Sequence, residues 1–168
     1  MTFLSKAGLH SEGEKIIRSS DWLISFANQN PVLRFAVLGD DNTPHVTPLW
    51  FVFDGYAFYM ATDQHRKSGK VTKKVEYIKK NNKVALVIDT YNPTNLDEVQ
   101  GVMVQGTAHL VQEDSESRYA VKLLKIKYRE YREKYSDWLE GKDPRLQPII
   151  IKVIPSKYIG WSEEGPWQ

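Results

Sequence analysis

Cysteine is missing altogether from the 168 residues. Its absence removes a disulfide framework, a thiolate metal site and a cysteine nucleophile at once. No apolar run approaches the roughly 18 residues that a membrane-spanning helix needs. Charge of one sign is also scarce. The 23 Lys and Arg nearly balance the 21 Asp and Glu, for a net charge of +2. The chain as a whole is no polyanion binder, and a basic site must arise by local clustering. There is no GxGxxG, no HExxH, no serine in a nucleophile elbow and no internal repeat. The opening MTFLSKAGLH has an early Ser and Lys and no long apolar centre, so it does not read as a secretory signal. A cytoplasmic location is expected.

What is present is ordinary in bulk and uneven in detail. Hydrophobic residues make up 41% and charged residues 26%, which suits one globular domain spanning residues 1–168. Five Trp and nine Tyr exceed what a small core requires and suit packing against a planar ligand.

The periodicity predicts a helix over Ser11–Asn28, or two short ones given Gly13, Ser19 and Ser20, opened by a capping box of Ser11 and Glu14 and ended by Asn30-Pro31. Val32–Leu38 reads as a strand, followed by a turn-rich stretch from Gly39 to Pro44. His45–Phe53 and Tyr56–Thr62 read as a hairpin joined at Asp54-Gly55, with Pro48 marking an edge or a bulge. Lys67–Lys80 reads as a helix, Val84–Thr90 as a strand, and Gly101–Gln112 as a strand with a bulge or close approach at Gly106. Glu113–Leu139 reads as one helical region with Val121, Leu124, Tyr128, Tyr131 and Tyr135 on a single face. That stripe, flanked by Lys122, Lys125, Arg129 and Arg132, reads as packing surface rather than a nucleic-acid platform. Ile149–Ile154 closes the series as a strand, and a Trp-rich tail follows. Helix, antiparallel strands, helix, strands, long helix and strand together predict an α+β fold built on an antiparallel β-barrel.

The segment from His45 to Leu86 carries the chemistry. A hairpin delivers Thr62 to a run of cations, Arg66, Lys67, Lys70, Lys73 and Lys74, at a helix start. A helix N-terminus offers unpaired N–H groups and a positive dipole, and with the added cations this suits a phosphate-bearing ligand. His45, His65 and His109 lack metal-ligand spacing. His65, beside Arg66, can donate to an anion.

The ordered set HVTPLWFVFDG, YAFYMAT, the Arg66–Ile88 segment and GVMVQGTAHLV resembles the pyridoxamine 5′-phosphate oxidase-like superfamily of FMN-binding split β-barrels. The resemblance covers about Pro31 to Val111, plus the closing strand and Gly160-Trp161. It implies a split β-barrel with flanking helices, forming a homodimer with FMN at the interface and a small-molecule substrate. No nucleic acid or membrane partner is implied. It also implies that Ala61 and Thr62 line the ribityl end and that Arg66 and Lys67 grip the phosphate. Val46, Thr47, Pro48, Leu49 and Trp50 would border the ring with Gln105, and Trp161 would reach a partner subunit's flavin. Counting back from Asn81-Asn82 lands instead on Lys74, so the phosphate lysine is Lys67 or Lys74. The tail from Trp161 to Trp167 has no Arg or His, so the substrate-phosphate clamp of the authentic oxidases is missing and vitamin B6 oxidation is not expected. The resemblance therefore implies an FMN-dependent oxidoreductase. The alternatives are a reductase using the deazaflavin F420 and a flavin- or haem-binding protein without turnover.

Overall fold

The computed structural model describes residues 20–64, 70–95, 99–142 and 148–162, without the side chains of 131–134. The described elements are helix α1 (Asp21–Gln29), strands β1 (Leu33–Leu38), β2 (Pro44–Leu49), β3 (Phe51–Phe53) and β4 (Phe58–Asp63), and helix α2 (Lys73–Lys80). They continue with β5 (Lys83–Thr90), β6 (Gln100–Leu110), helix α3 (Asp114–Lys127), a 3₁₀ turn (Arg129–Tyr131), helix α4 (Arg132–Leu139) and β7 (Pro148–Ser162). The seven strands form one antiparallel sheet in the order β2-β1-β5-β6-β7-β4-β3.

The two ends of that order are one piece of chain. β2 and β3 are separated only by Trp50, so a single ribbon pairs with β1 through its first half and with β4 through its second. The sheet therefore curls until its edges meet, with β2 also approaching β4. This is the split β-barrel that the sequence leads one to expect.

Alternation sorts the strands' side chains. Phe51, Phe53, Phe58 and Met60 point inward with Phe35, Leu86, Ile88 and Ile151, all within 1% of fully buried. Each such burial contributes roughly 1.5–3 kcal/mol. Val52, Tyr59, Ala61 and Ile150 point outward and are covered by Ala120, Leu124, Tyr128 and Leu139 of the α3–α4 region. Beneath α3 lies a buried ion pair, with Lys152 Nζ 2.8 Å from a Glu116 carboxylate that also accepts the Tyr59 hydroxyl at 3.2 Å.

β3 is short, and side chains rather than a strand satisfy its outer edge. The Asn28 amide donates to Phe53 O at 2.7 Å and accepts from Phe53 N at 3.1 Å. The Tyr128 hydroxyl accepts from Phe51 N at 2.8 Å and stands 2.8 Å from both Phe51 O and Pro31 O. An edge capped in this way offers no template for another chain.

Three sequence expectations are corrected. The region 113–139 is not one helix: α3 ends at Lys127, and its C-cap Tyr128, whose hydroxyl serves the Phe51 edge, lies outside helical geometry (φ −103°, ψ 35°). The side chain of Tyr131 lies outside the described residues. The Trp-rich tail is strand as far as Ser162, because β6 is long enough to pair with it as far as Gln100. α2 starts at Lys73 rather than Lys67. Thr72 is its N-cap, and β-branched Val71 and Thr72 precede it in non-helical backbone. The Ser11–Glu14 capping box lies outside the described residues. Within them α1 is capped by Ser20, whose hydroxyl accepts from Leu23 N at 3.3 Å.

The bulge expected at Gly106 is present. The β6–β7 register shifts between Gln105 and Gly106, and a Cβ at Gly106 would stand 2.4 Å from Ile154 O. No described helix is long and apolar enough to cross a membrane.

Removing the Tyr128 hydroxyl leaves buried backbone groups of Phe51 without a partner, which costs about 1–3 kcal/mol. Tyr128→Phe should therefore lower the unfolding free energy by that amount in urea titrations. An unchanged midpoint would show that the β3 edge does not need this cap.

Candidate functional site

β4 ends beside the start of α2. Thr62 is the last interior-parity residue of β4 and is buried, and its hydroxyl accepts from Lys74 Nζ at 3.2 Å. The chain leaves β4 at Gln64 and returns at Thr72, where two bonds fasten the junction. Thr72 N donates to Gln64 O at 3.0 Å and the Thr72 hydroxyl to Asp63 O at 2.8 Å. Asp63 is held from the other side by the Trp138 indole N–H at 2.6 Å. The start of α2 is thereby fixed against the end of β4.

Lys74 is half-buried, and desolvation pulls its ammonium below the ordinary lysine range, opposed by the negative charge of Asp63. Among the described residues it forms no ion pair. An ammonium held at a helix start beside a hydroxyl, short of counter-charge, is chemically suited to an oxyanion. Lys73 instead pairs with Glu76 at 2.9 Å on the exposed side. Lys70 is exposed and precedes the helix, so it does not share a face with Lys74. His65, Arg66 and Lys67 lie outside the described residues.

The remaining candidates fall into two groups. β2 lies next to β4, and along it Val46 is 60% exposed, Thr47 and Leu49 are half-buried and Pro48 is exposed. Ala61 is buried and faces the helices, on the opposite side of β4 from Thr62. Trp50 turns the same way, stacked on Tyr128 at 4.7 Å and edge-on to Tyr135 at 4.5 Å. Its indole packs under α3–α4, so only its backbone borders the β2 surface.

Gln105 and Trp161 are not gathered here. Thr62 faces Ile149 on β7, whereas Gln105 faces Lys157, roughly 25 Å along that strand, and Trp161 is farther still. Gln105 is exposed at the bulge. Trp161 lies flat across β6, its ring occupying the space a Cβ at Gly101 would need, 2.2 Å from that position.

A family model for pyridoxamine 5′-phosphate oxidase matches residues 23–158. The chain belongs to the pyridoxamine 5′-phosphate oxidase family. That match takes in β1 to β6 and β7 as far as Tyr158, with both elements holding Thr62 and Lys74. No curated protein matches the chain. Among solved structures it is similar to a conserved hypothetical protein from Mycobacterium tuberculosis, at 18% identity and TM-score 0.69, covering 88% of this chain and 86% of that one. It is similar to an FAD-binding protein from Mesorhizobium loti, at 18% identity and TM-score 0.59, covering 84% and 91%. An F420 reductase is similar at 22% identity and TM-score 0.58, covering 80% and 93%. At these identities the likeness is one of fold.

Sequence reasoning missed Lys127. Its ammonium sits 3.6 Å over the Phe51 ring and donates to Ala27 O at 3.3 Å. α1 has no basic residue in its own last turn, so Lys127 brings a cation to its C-terminal carbonyls from another helix. Burial pushes this amine down to about 7. The Lys152–Glu116 pair also went unread, although a lone lysine inside the apolar run Ile149–Ile154 was the available signal.

Because the folded pKa of Lys127 is depressed, the protonated amine is penalised in the folded state. The penalty is complete below about pH 7 and fades as pH rises toward the unfolded value of 10.5. Ring and carbonyl contacts offset part of it. Lys127→Met should stabilise the protein by about 1–3 kcal/mol at pH 6–7, with the gain shrinking toward pH 10. Denaturant titrations across that range test this, and a gain independent of pH would contradict it.

Proposed function

We propose that the protein is an FMN-dependent oxidoreductase that binds the flavin phosphate at the β4–α2 junction and works as a homodimer. The observation that carries this reading is Lys74, an ammonium partly removed from water, bonded to the Thr62 hydroxyl and lacking an ion pair among the described residues. A phosphate dianion there would supply the missing counter-charge, and the first N–H groups of α2 would add donors. Arg66 and Lys67, between Gln64 and Lys70 in the sequence, would add cations, with His65 as a further donor. In a bound complex the flavin ring performs electron and hydride transfer, while the protein binds and orients it.

Thr62 and Ala61 would lie at the ribityl end, and the exposed β2 stretch Val46–Leu49 with the Trp50 backbone would border the ring. Among the described residues the outer edge of β2 has no strand partner, which suits a site completed by a second copy. The distance of Gln105 and Trp161 from Thr62 along the sheet points the same way, since both would have to act from the partner side. F420 is the second reading, favoured by the likeness to an F420 reductase.

Replacing Lys74 by Ala should weaken FMN binding by about 1.5–3 kcal/mol, the value of a charge-assisted contact, as read by flavin fluorescence titration. Equal affinity of variant and parent would remove Lys74 from the site. Parallel titration with F420 separates the two cofactors. Tighter F420 than FMN binding would replace the first reading by the second.

A further inference from the structure

Asp63 adjoins the Thr62–Lys74 contact, and its charge cuts both ways there. At its present distance it opposes the desolvation of the Lys74 ammonium and so helps to keep that amine protonated. In direct contact the same carboxylate would occupy the ammonium and repel an incoming phosphate. The two form no ion pair, although Asp63 stands close enough for its charge to act on Lys74.

Two features hold the carboxylate away. The first is the pleat of β4. Thr62 shares the parity of Phe58 and Met60, which face the barrel interior, whereas Asp63 shares that of Tyr59 and Ala61, which α3 and α4 cover. The second is a bond on the covered side. The Trp138 indole N–H of α4 donates to Asp63 Oδ1 at 2.6 Å, the short length expected of a charged acceptor. The Thr72 hydroxyl, just before α2, donates to the Asp63 carbonyl at 2.8 Å. Backbone and carboxylate are thus held by different elements.

The indole is itself held in place. It packs on Tyr135 with centroids 5.5 Å apart, Tyr135 meets Trp50 edge-on at 4.5 Å, and Trp50 stacks on Tyr128. Leu139, next in the chain, is buried against the same outer face of the sheet. A ring fixed in such a series cannot swing aside without opening its neighbours' contacts, so packing sets the direction of its N–H.

We propose that Trp138 is a positioning residue for the phosphate site: its indole N–H keeps the Asp63 carboxylate on the helical side of β4, which leaves the Lys74 ammonium open to the flavin phosphate. This rests on the flavin-phosphate reading above and extends that site to α4.

Riboflavin is the same flavin without the phosphate, so the ratio of FMN to riboflavin affinity isolates the phosphate's contribution. In fluorescence titrations the parent protein should bind FMN about tenfold or more tighter than riboflavin, and Lys74→Ala should remove most of that advantage. Trp138→Phe should cut the advantage about threefold or more with riboflavin affinity unchanged, and adding Asp63→Asn to that variant should restore it. Lost packing alone would weaken both flavins alike and would not be repaired at Asp63. A Trp138→Phe protein with the full FMN advantage, or a loss that Asp63→Asn does not repair, would overturn the proposal and leave Lys74 in the phosphate site. A parent protein that binds both flavins equally would overturn the phosphate reading and the proposal together. If Trp138→Phe does not fold, the parent still decides by nuclear magnetic resonance. The indole N–H signal that Asp63→Asn displaces should persist in the FMN complex, and its loss on adding FMN would refute the restraint.

Discussion

The β2–β3 ribbon is the constraint on which the rest of the molecule depends. One stretch of ten residues must serve both free edges of a seven-stranded sheet, so it has to bend at Trp50, between Leu49 and Phe51. Bending exposes the outer edge of β3, and buried backbone polar groups must find partners. Asn28 and Tyr128, distant in sequence from each other, supply them. The position of α1 and the end of α3 both follow from that need. So does the placement of Trp50, whose indole is drawn under the helices to stack on the tyrosine that caps the edge.

The buried ammoniums show how the same fold separates structure from chemistry. Lys152 has Glu116 as its counter-ion and fastens α3 to the sheet. Lys127 has a ring face and a helix C-terminal carbonyl, an environment that rejects an anion. Among the described residues Lys74 has only a threonine hydroxyl within bonding distance, and it stands at a helix N-terminus, where an anion is favoured. Three partly or fully buried lysines thus differ in what they can bind, and the difference lies in their partners rather than in their charge.

Much of this was readable from the chain, for physical reasons that differ by element. Asp54-Gly55 and the alternation around it marked the hairpin because two-fold periodicity and turn chemistry are local. Gly106 was legible as a close approach because a glycine in an alternating strand leaves room for another backbone, here Ile154. The long strand β7 was not legible beyond Ile154. Its second half is Ser-, Lys- and Gly-containing and is held as strand by β6 alongside it rather than by its own propensity. The break at Tyr128 was hidden for a similar reason. A helical stripe of Tyr and Leu reads as continuous until a strand edge elsewhere claims one hydroxyl. Of the candidate site, Thr62 was placed by the end of an apolar strand. That Lys74 stands beside Thr62 needed the start of α2, which the run of lysines blurred, and Lys67 lies outside the described residues.

By itself the amino-acid order determined the class of fold, the hairpin and the presence of a hydroxyl-and-cation segment after it, because these rest on periodicity, turn residues and neighbouring charge. Only the tertiary structure decided that Lys74 meets Thr62, which way Trp50 turns and where the aromatic stripe breaks. Those outcomes are set by closure of the sheet on itself, which brings together backbone groups and side chains that have no relation along the chain.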